Sequence, residues 1–181
     1  MSFIKLSDTL LISMIIIDLY LCYKIFENNK QHSTISSFVD NLDTEILLIG
    51  LLFMNFLSFI YELNLKYESF LNIFFITLIN ISVLGSVLFK YYLAPEEHLF
   101  FAVVLFISIG LYMIFSSYSK NNYKLVYIQL ILSGLCIYNF VSKNDNDNYI
   151  FIIEIFLLLN FALFYLSRHI YLRSLIFFPK P

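Results

Sequence analysis

Six long runs of apolar residues, separated by polar stretches, set the pattern of this chain. They are approximately Leu10–Phe26, Ile46–Tyr61, Phe70–Phe89, Leu99–Tyr118, Leu125–Val141 and Tyr149–Ser167. Within each run the apolar residues follow one another without alternating with polar ones, which argues against barrel strands. About 20 apolar residues, coiled as a helix, cover the hydrocarbon of a bilayer. A helix also pairs its backbone polar groups within one segment, as lipid demands. The pattern therefore predicts an all-α, polytopic integral membrane protein, a single transmembrane domain over residues 1–181 with about six spans. Pro95 falls in the third connection and Pro179 and Pro181 at the tail, so no proline is expected inside a span. One connection is long, from about Glu27 to Glu45, and rich in Ser, Thr and Asn.

Composition sharpens this picture. Of 181 residues, 60% are apolar and 13% charged, with a mean hydropathy of +0.82. Soluble domains carry roughly 45–50% and 25%. A disordered chain and a nucleic-acid reader with a basic face are excluded, and the net charge of −2 points to no partner. Phe (21) and Tyr (14) are abundant while Gly (4) and Trp (0) are scarce, a bias that follows A/T-rich codons. The expected location is a mitochondrial inner membrane, with a bacterial inner membrane second. Lys5 precedes the first apolar run without a small-residue cleavage site close behind, so a retained signal-anchor helix is expected.

Charge also orients the chain. Six spans place both termini with the second and fourth connections. That side holds Lys5, Lys66, Lys120, Lys124, Arg168, Arg173 and Lys180, whereas the other holds Lys24, Lys30, Lys90 and Lys143. Basic residues gather on the inner side, so the termini are expected inside.

Two carboxylates fall within spans. Asp18 lies near the middle of the first, where a charge costs roughly 2.5–3.5 kcal/mol on insertion scales. It either marks a proton or ion path or is a neutral acid bonded to a neighbouring helix. Glu154, about one and a half turns into the sixth span, has the same two readings. The two stand at depths differing by roughly 10 Å, so a direct pair is not expected. Gly50, Gly85, Gly110 and Gly134 fall one each in spans two to five, where small residues let helices approach. Asn55, Asn72, Asn80, Asn139, Asn160 and Gln129 are amides within spans that need partners, which predicts extensive helix packing among other membrane subunits. Cys22 and Cys136 sit in apolar runs, and His32, His98 and His169 lie at or beyond span ends without ligand spacing, so no metal or haem is expected. No phosphate loop, zinc-protease helix or nucleophile elbow occurs. A membrane-embedded transferase would need a His, Asp, Glu or basic cluster at an interface, and none is expected. The tail from Arg168, with Arg173, Tyr171, Phe177 and Phe178, suits anchoring at headgroups, cardiolipin-type lipids included.

The stretch Val104-Leu-Phe-Ile-Ser-Ile-Gly-Leu-Tyr-Met-Ile-Phe115 resembles the third helix of subunit 6 of NADH dehydrogenase, respiratory complex I, at its π-bulge. Gly110, Met113 and Phe115 fall on comparable positions, while Ser108 stands where the family has tyrosine. Upstream, Asn64-Leu-Lys-Tyr-Glu-Ser69 resembles the family's turn between its first two helices, with Leu65 in place of proline. Asn80 follows near an Asn of the next helix, and Glu96 or Glu97 near an acidic residue before the bulged helix. A rival likeness joins Ile153-Glu-Ile-Phe-Leu-Leu-Leu-Asn160 to the glutamate helix of subunit 4L. The subunit 6 resemblance implies a non-catalytic membrane subunit of an NADH:ubiquinone reductase, with no cofactor of its own and other membrane subunits as partners. It further implies a switch between π and α geometry at Gly110, beside Ser108, that gates a water wire for proton translocation. Asp18 and Glu154 are not part of that resemblance and stand as separate proton-path candidates. The alternative is a small independent transporter or channel.

Overall fold

A computed structural model describes residues 3–27, 45–64, 70–90, 93–117, 120–142 and 147–177. Among these the chain is all-α, with six helices: α1 Phe3–Glu27, α2 Glu45–Leu63, α3 Phe70–Leu88, α4 Pro95–Phe115, α5 Lys120–Ser142 and α6 Asp147–Phe177. The long connection with His32, the residues 65–69 of the Asn64–Ser69 turn and the final Pro179 and Pro181 lie outside the described residues, as does the side chain of Cys22.

Four of the six apolar runs fall wholly inside one helix, whereas the third runs one residue past Leu88 and the fourth runs past Phe115 to Tyr118, outside the described residues; several helices also outrun their apolar stretch. α1 starts seven residues before Leu10, and α6 continues ten residues past Ser167. Charged residues at these ends therefore belong to helix and not to loop or tail. Pro95 likewise opens α4 instead of sitting in the connection, at a position where its missing N–H costs nothing. Glu96 and Glu97 follow in the first turn, where carboxylates favour the positive end of the helix. α4 is α-helical throughout, Gly110 included, with no π turn.

Each helix packs on the next in sequence, and α1 closes on α6, so the six form a ring. α3 and α4 make the most extensive contact. Gly85 explains the closeness: a Cβ there would run into the Phe101 ring. Gly110 of α4 lies under Leu130 of α5, with 3.1 Å between the Leu130 Cδ2 and an added Cβ. Gly134 differs from expectation, since nothing lies within 4 Å of its Cβ position; it faces outward and brings no helix of this chain closer.

The main core draws on all six helices, always at the end that carries the termini. Leu11 and Met14 of α1 meet Tyr61 of α2, Ile76 of α3, Tyr112 and Met113 of α4, Val126 of α5, and Phe164 and Tyr165 of α6. At the opposite end a smaller cluster joins Ala102, Phe106, Cys136 and Leu157 from α4, α5 and α6. Among the described residues, large apolar side chains are exposed more often than buried, and every helix carries exposed ones, while many polar side chains lie inside. Among the described residues two segments are long and apolar enough to cross a membrane, Pro95–Phe115 and Ile152–Ser174.

Candidate functional site

The terminus-side end of the bundle holds a buried charge cluster that grows from adjacent residue pairs on two helices. Tyr61 and Glu62 end α2, and Arg168 and His169 lie in the last third of α6. Consecutive helical positions diverge by about 100°, so each pair can serve two neighbouring networks.

The inner network is Glu62, Arg168 and Tyr112. Arg168 Nη1 donates to Glu62 Oε1 at 2.6 Å, with both side chains almost wholly enclosed. The Tyr112 hydroxyl of α4 donates to the same carboxylate oxygen and accepts from Arg168. The guanidinium also stands 5.6 Å from the Tyr112 ring centroid. Removing two charges from water costs several kcal/mol per ion, which only good geometry and further hydrogen bonds offset. Here one oxygen collects two donors from two other helices, joining α2, α4 and α6 at a point.

The outer network is linear. His169 receives or donates at Nδ1 to the Tyr61 hydroxyl at 2.9 Å, and meets Asp8 Oδ1 through Nε2 at 2.7 Å. Arg173, one turn on, reaches the other Asp8 oxygen at 3.3 Å. The imidazole thus bridges a carboxylate of α1 and a phenol of α2. The order carboxylate–imidazole–hydroxyl resembles a nucleophile relay, but Tyr61 is fully enclosed and cannot meet a substrate. Its ring lies edge-on to Tyr165, with centroids 5.7 Å apart, and Tyr165 in turn stacks on Tyr112 at 5.8 Å. Tyr165 therefore separates the two networks. Asp8, His169 and Arg173 line a cleft between α1 and α6 floored by Leu11, Ile12, Leu166 and Ile170.

This cluster overturns two expectations. Arg168 is not an interfacial anchor of the tail; it is among the largest fully buried side chains. An ionisable cluster with a histidine does form at one end of the bundle, where none was expected. The signal was present in the sequence. Asp8, Glu62, Arg168 and Arg173 all fall on the same side of a six-helix alternation. Counting Arg168 and Arg173 as charges outside the spans leaves out the carboxylates of Asp8 and Glu62 that neutralise them.

The predicted site residues lie elsewhere. Asp18 is buried and lines a cavity of about 40 Å³ together with Asn55 and Ser58 of α2, and with Leu158, Phe161 and Tyr165 of α6. Glu154 is buried among α5 and α6, near enough to the Cys136 thiol to act on it electrostatically, and does not line that cavity. The two carboxylates are not brought together. Ser108 and Gly110 are both buried, and the Ser108 hydroxyl has no hydrogen-bond partner among the described residues. Several of the amides bond within the chain. Asn160 donates to Gln129 Oε1 at 2.7 Å and to the Leu125 carbonyl at 3.0 Å, and Asn122 accepts from Ser167 at 2.6 Å. Asn80 and Asn139 cap carbonyls one turn back on their own helices. The bundle supplies these partners, while the Asn55 Nδ2 and the Gln129 Nε2 find none among the described residues. His98 is buried, its Nδ1 2.8 Å from the Phe89 carbonyl, and ties α3 to α4. Among the described residues no three His, Cys, Asp or Glu side chains group as metal ligands.

No protein-family model, curated protein or solved structure matches the chain.

Proposed function

We propose that the chain crosses a bilayer six times and serves as a non-catalytic integral subunit of an energy-transducing assembly, a respiratory complex of the subunit 6 kind. The inverted polarity of the bundle carries this reading. Water-soluble domains bury apolar residues and expose charge. Here Ile12, Ile16, Phe53, Phe56, Ile131 and Tyr138 face outward while Glu62, Arg168 and Gln129 are enclosed. Exposed apolar patches of this extent are the mark of lipid or protein surroundings. The helices run from 19 to 31 residues, or about 28–46 Å, the shortest of them just under and the longest well over some 30 Å of hydrocarbon. The assembly role rests on the likeness over Val104–Phe115 and implies a mitochondrial inner membrane, or failing that a bacterial one, with cardiolipin-type lipids around the basic end of α6.

The test is gentle solubilisation, native electrophoresis and mass spectrometry of the band that holds this chain. Migration with NADH dehydrogenase subunits supports the reading in full. Migration with another respiratory or ATP-synthase assembly keeps the subunit role and discards the likeness. A band of the chain alone, or of a small oligomer, contradicts the subunit role and favours a small transporter. Asp18, facing an internal cavity of a closed helix ring, is the observation that keeps that second reading.

A further inference from the structure

We propose that Asp18 is an internal proton-binding site, held by water in its cavity and reached from the cleft between α1 and α6. This deepens the membrane-spanning reading given above and rests on it.

Three observations converge. First, Asp18 Oδ2 and Asn55 Nδ2 are both buried and have no hydrogen-bond partner among the described residues, although both residues line one cavity. An acceptor and a donor left unbonded in an apolar interior each cost roughly 1–3 kcal/mol. Second, the cavity, at about 40 Å³, has room for water, and its polar wall offers the two to four partners that a buried water needs. Ser58 contributes a third polar group, its hydroxyl already donating to the Asn55 carbonyl at 2.7 Å. Water bridging Asp18 and Asn55 satisfies both orphans. Third, the cavity and the outer cleft share one wall residue, Leu11. On one side of Leu11 stand Asp8 and His169; on the other stands Asp18, two turns further along α1.

Among the described residues no basic side chain lines the cavity. Its walls come from α1, α2, Ile79 of α3 and α6, and apart from Asp18 the one titratable group among them is the Tyr165 phenol. With no cation to neutralise a carboxylate, the site favours the neutral acid, which can donate its proton where an anion could not. The exchange is a simple one: the neutral Asp18 acid gives its proton to cavity water, forming hydronium, and the carboxylate takes a proton back from hydronium, with Leu11 as the apolar plug between cavity and cleft.

The test is infrared spectroscopy of the full chain in lipid nanodiscs, following the carbonyl stretch of protonated carboxylic acids during exchange into D2O. An acid band is expected that survives Glu154→Gln and disappears in Asp18→Asn. Leu11→Ala should make its isotope shift about tenfold faster by thinning the plug. Asn55→Leu should displace the band, because it removes the partner of the cavity water, and it gives a second readout if Leu11→Ala does not fold. Absence of an acid band, as a sodium-loaded carboxylate would give, overturns the proposal. So does a band lost in Glu154→Gln and kept in Asp18→Asn, or one indifferent to both Leu11→Ala and Asn55→Leu. Incorporation into nanodiscs reports separately on the membrane reading: a chain that inserts but lacks the band refutes the proton site alone.

Discussion

The two ends of this bundle treat polar residues in opposite ways. At the terminus-side end, six helices share one core, and charges of both signs meet: Glu62 with Arg168 in the interior, and Asp8 with His169 and the exposed Arg173 at its rim. Towards the middle and the far end, the described apolar cluster joins only α4, α5 and α6, and the Asp18 carboxyl is enclosed in a cavity that no arginine or lysine among the described residues lines. Paired charges fix helices in register, because separating them leaves an ion uncompensated. A solitary acid fixes little, yet it can change protonation without dismantling the packing. One end is thus built as a clasp, and the middle holds a group free to exchange.

Breaking the clasp should have the largest effect. Arg168→Met alone is expected to cost about 3–5 kcal/mol in denaturant unfolding from mild detergent, since it strands the Glu62 carboxylate. The double variant Glu62→Gln with Arg168→Met should regain most of that loss. If the single and double variants unfold alike, the pair is not the clasp.

The glycines sharpen the comparison between helix contacts and the outer face. Gly85→Ala should cost about 1–3 kcal/mol, because its Cβ must displace the Phe101 ring. Gly110→Ala should cost less, since only the tip of Leu130 must give. Gly134→Ala should be neutral or stabilise by up to about 1 kcal/mol through helix propensity. Thermal unfolding of the three variants tests the order, and a loss at Gly134 equal to that at Gly85 would show that this outer face is covered by something else.

In the outer network, His169→Phe removes the bridge between Asp8 and Tyr61. A loss of about 1–2 kcal/mol is expected, the usual cost of leaving buried partners unbonded. Asp18→Asn should be the mildest change, within about 1 kcal/mol, because an amide of the same shape replaces a group that bonds no cation. A loss at Asp18 as large as that at Arg168 would erase the distinction between the two regions.

The six helices were legible because each carries a long unbroken apolar run. The ends were not, for a physical reason: helix α6 continues through Arg168 and Arg173 because their charges are met by Glu62 and Asp8 from helices distant in sequence. Hydropathy along one segment cannot register a neutralising partner 106 residues away. Asp18 was legible as a lone carboxyl in an apolar run, but its cavity was not, since Asn55 and Ser58 come from another helix. Tyr61 and Tyr112 read as two aromatics among many, and only the hydroxyl partners distinguish them.

The central claim, a six-span membrane bundle with its charge clasp on the side of the termini, is tested most directly by cysteine accessibility. Cys22 and Cys136 are replaced by serine, and Asn64→Cys, Leu93→Cys and Ser117→Cys are introduced singly at ends of helices. A membrane-impermeant maleimide is then applied to sealed vesicles of known orientation and to opened ones. The account predicts that the positions at 64 and 117 react only when the inner face is open to the reagent, and the position at 93 only from the outer face. Labelling of 64 and 117 from opposite faces, or release of the chain from the membrane by alkaline wash, would contradict it.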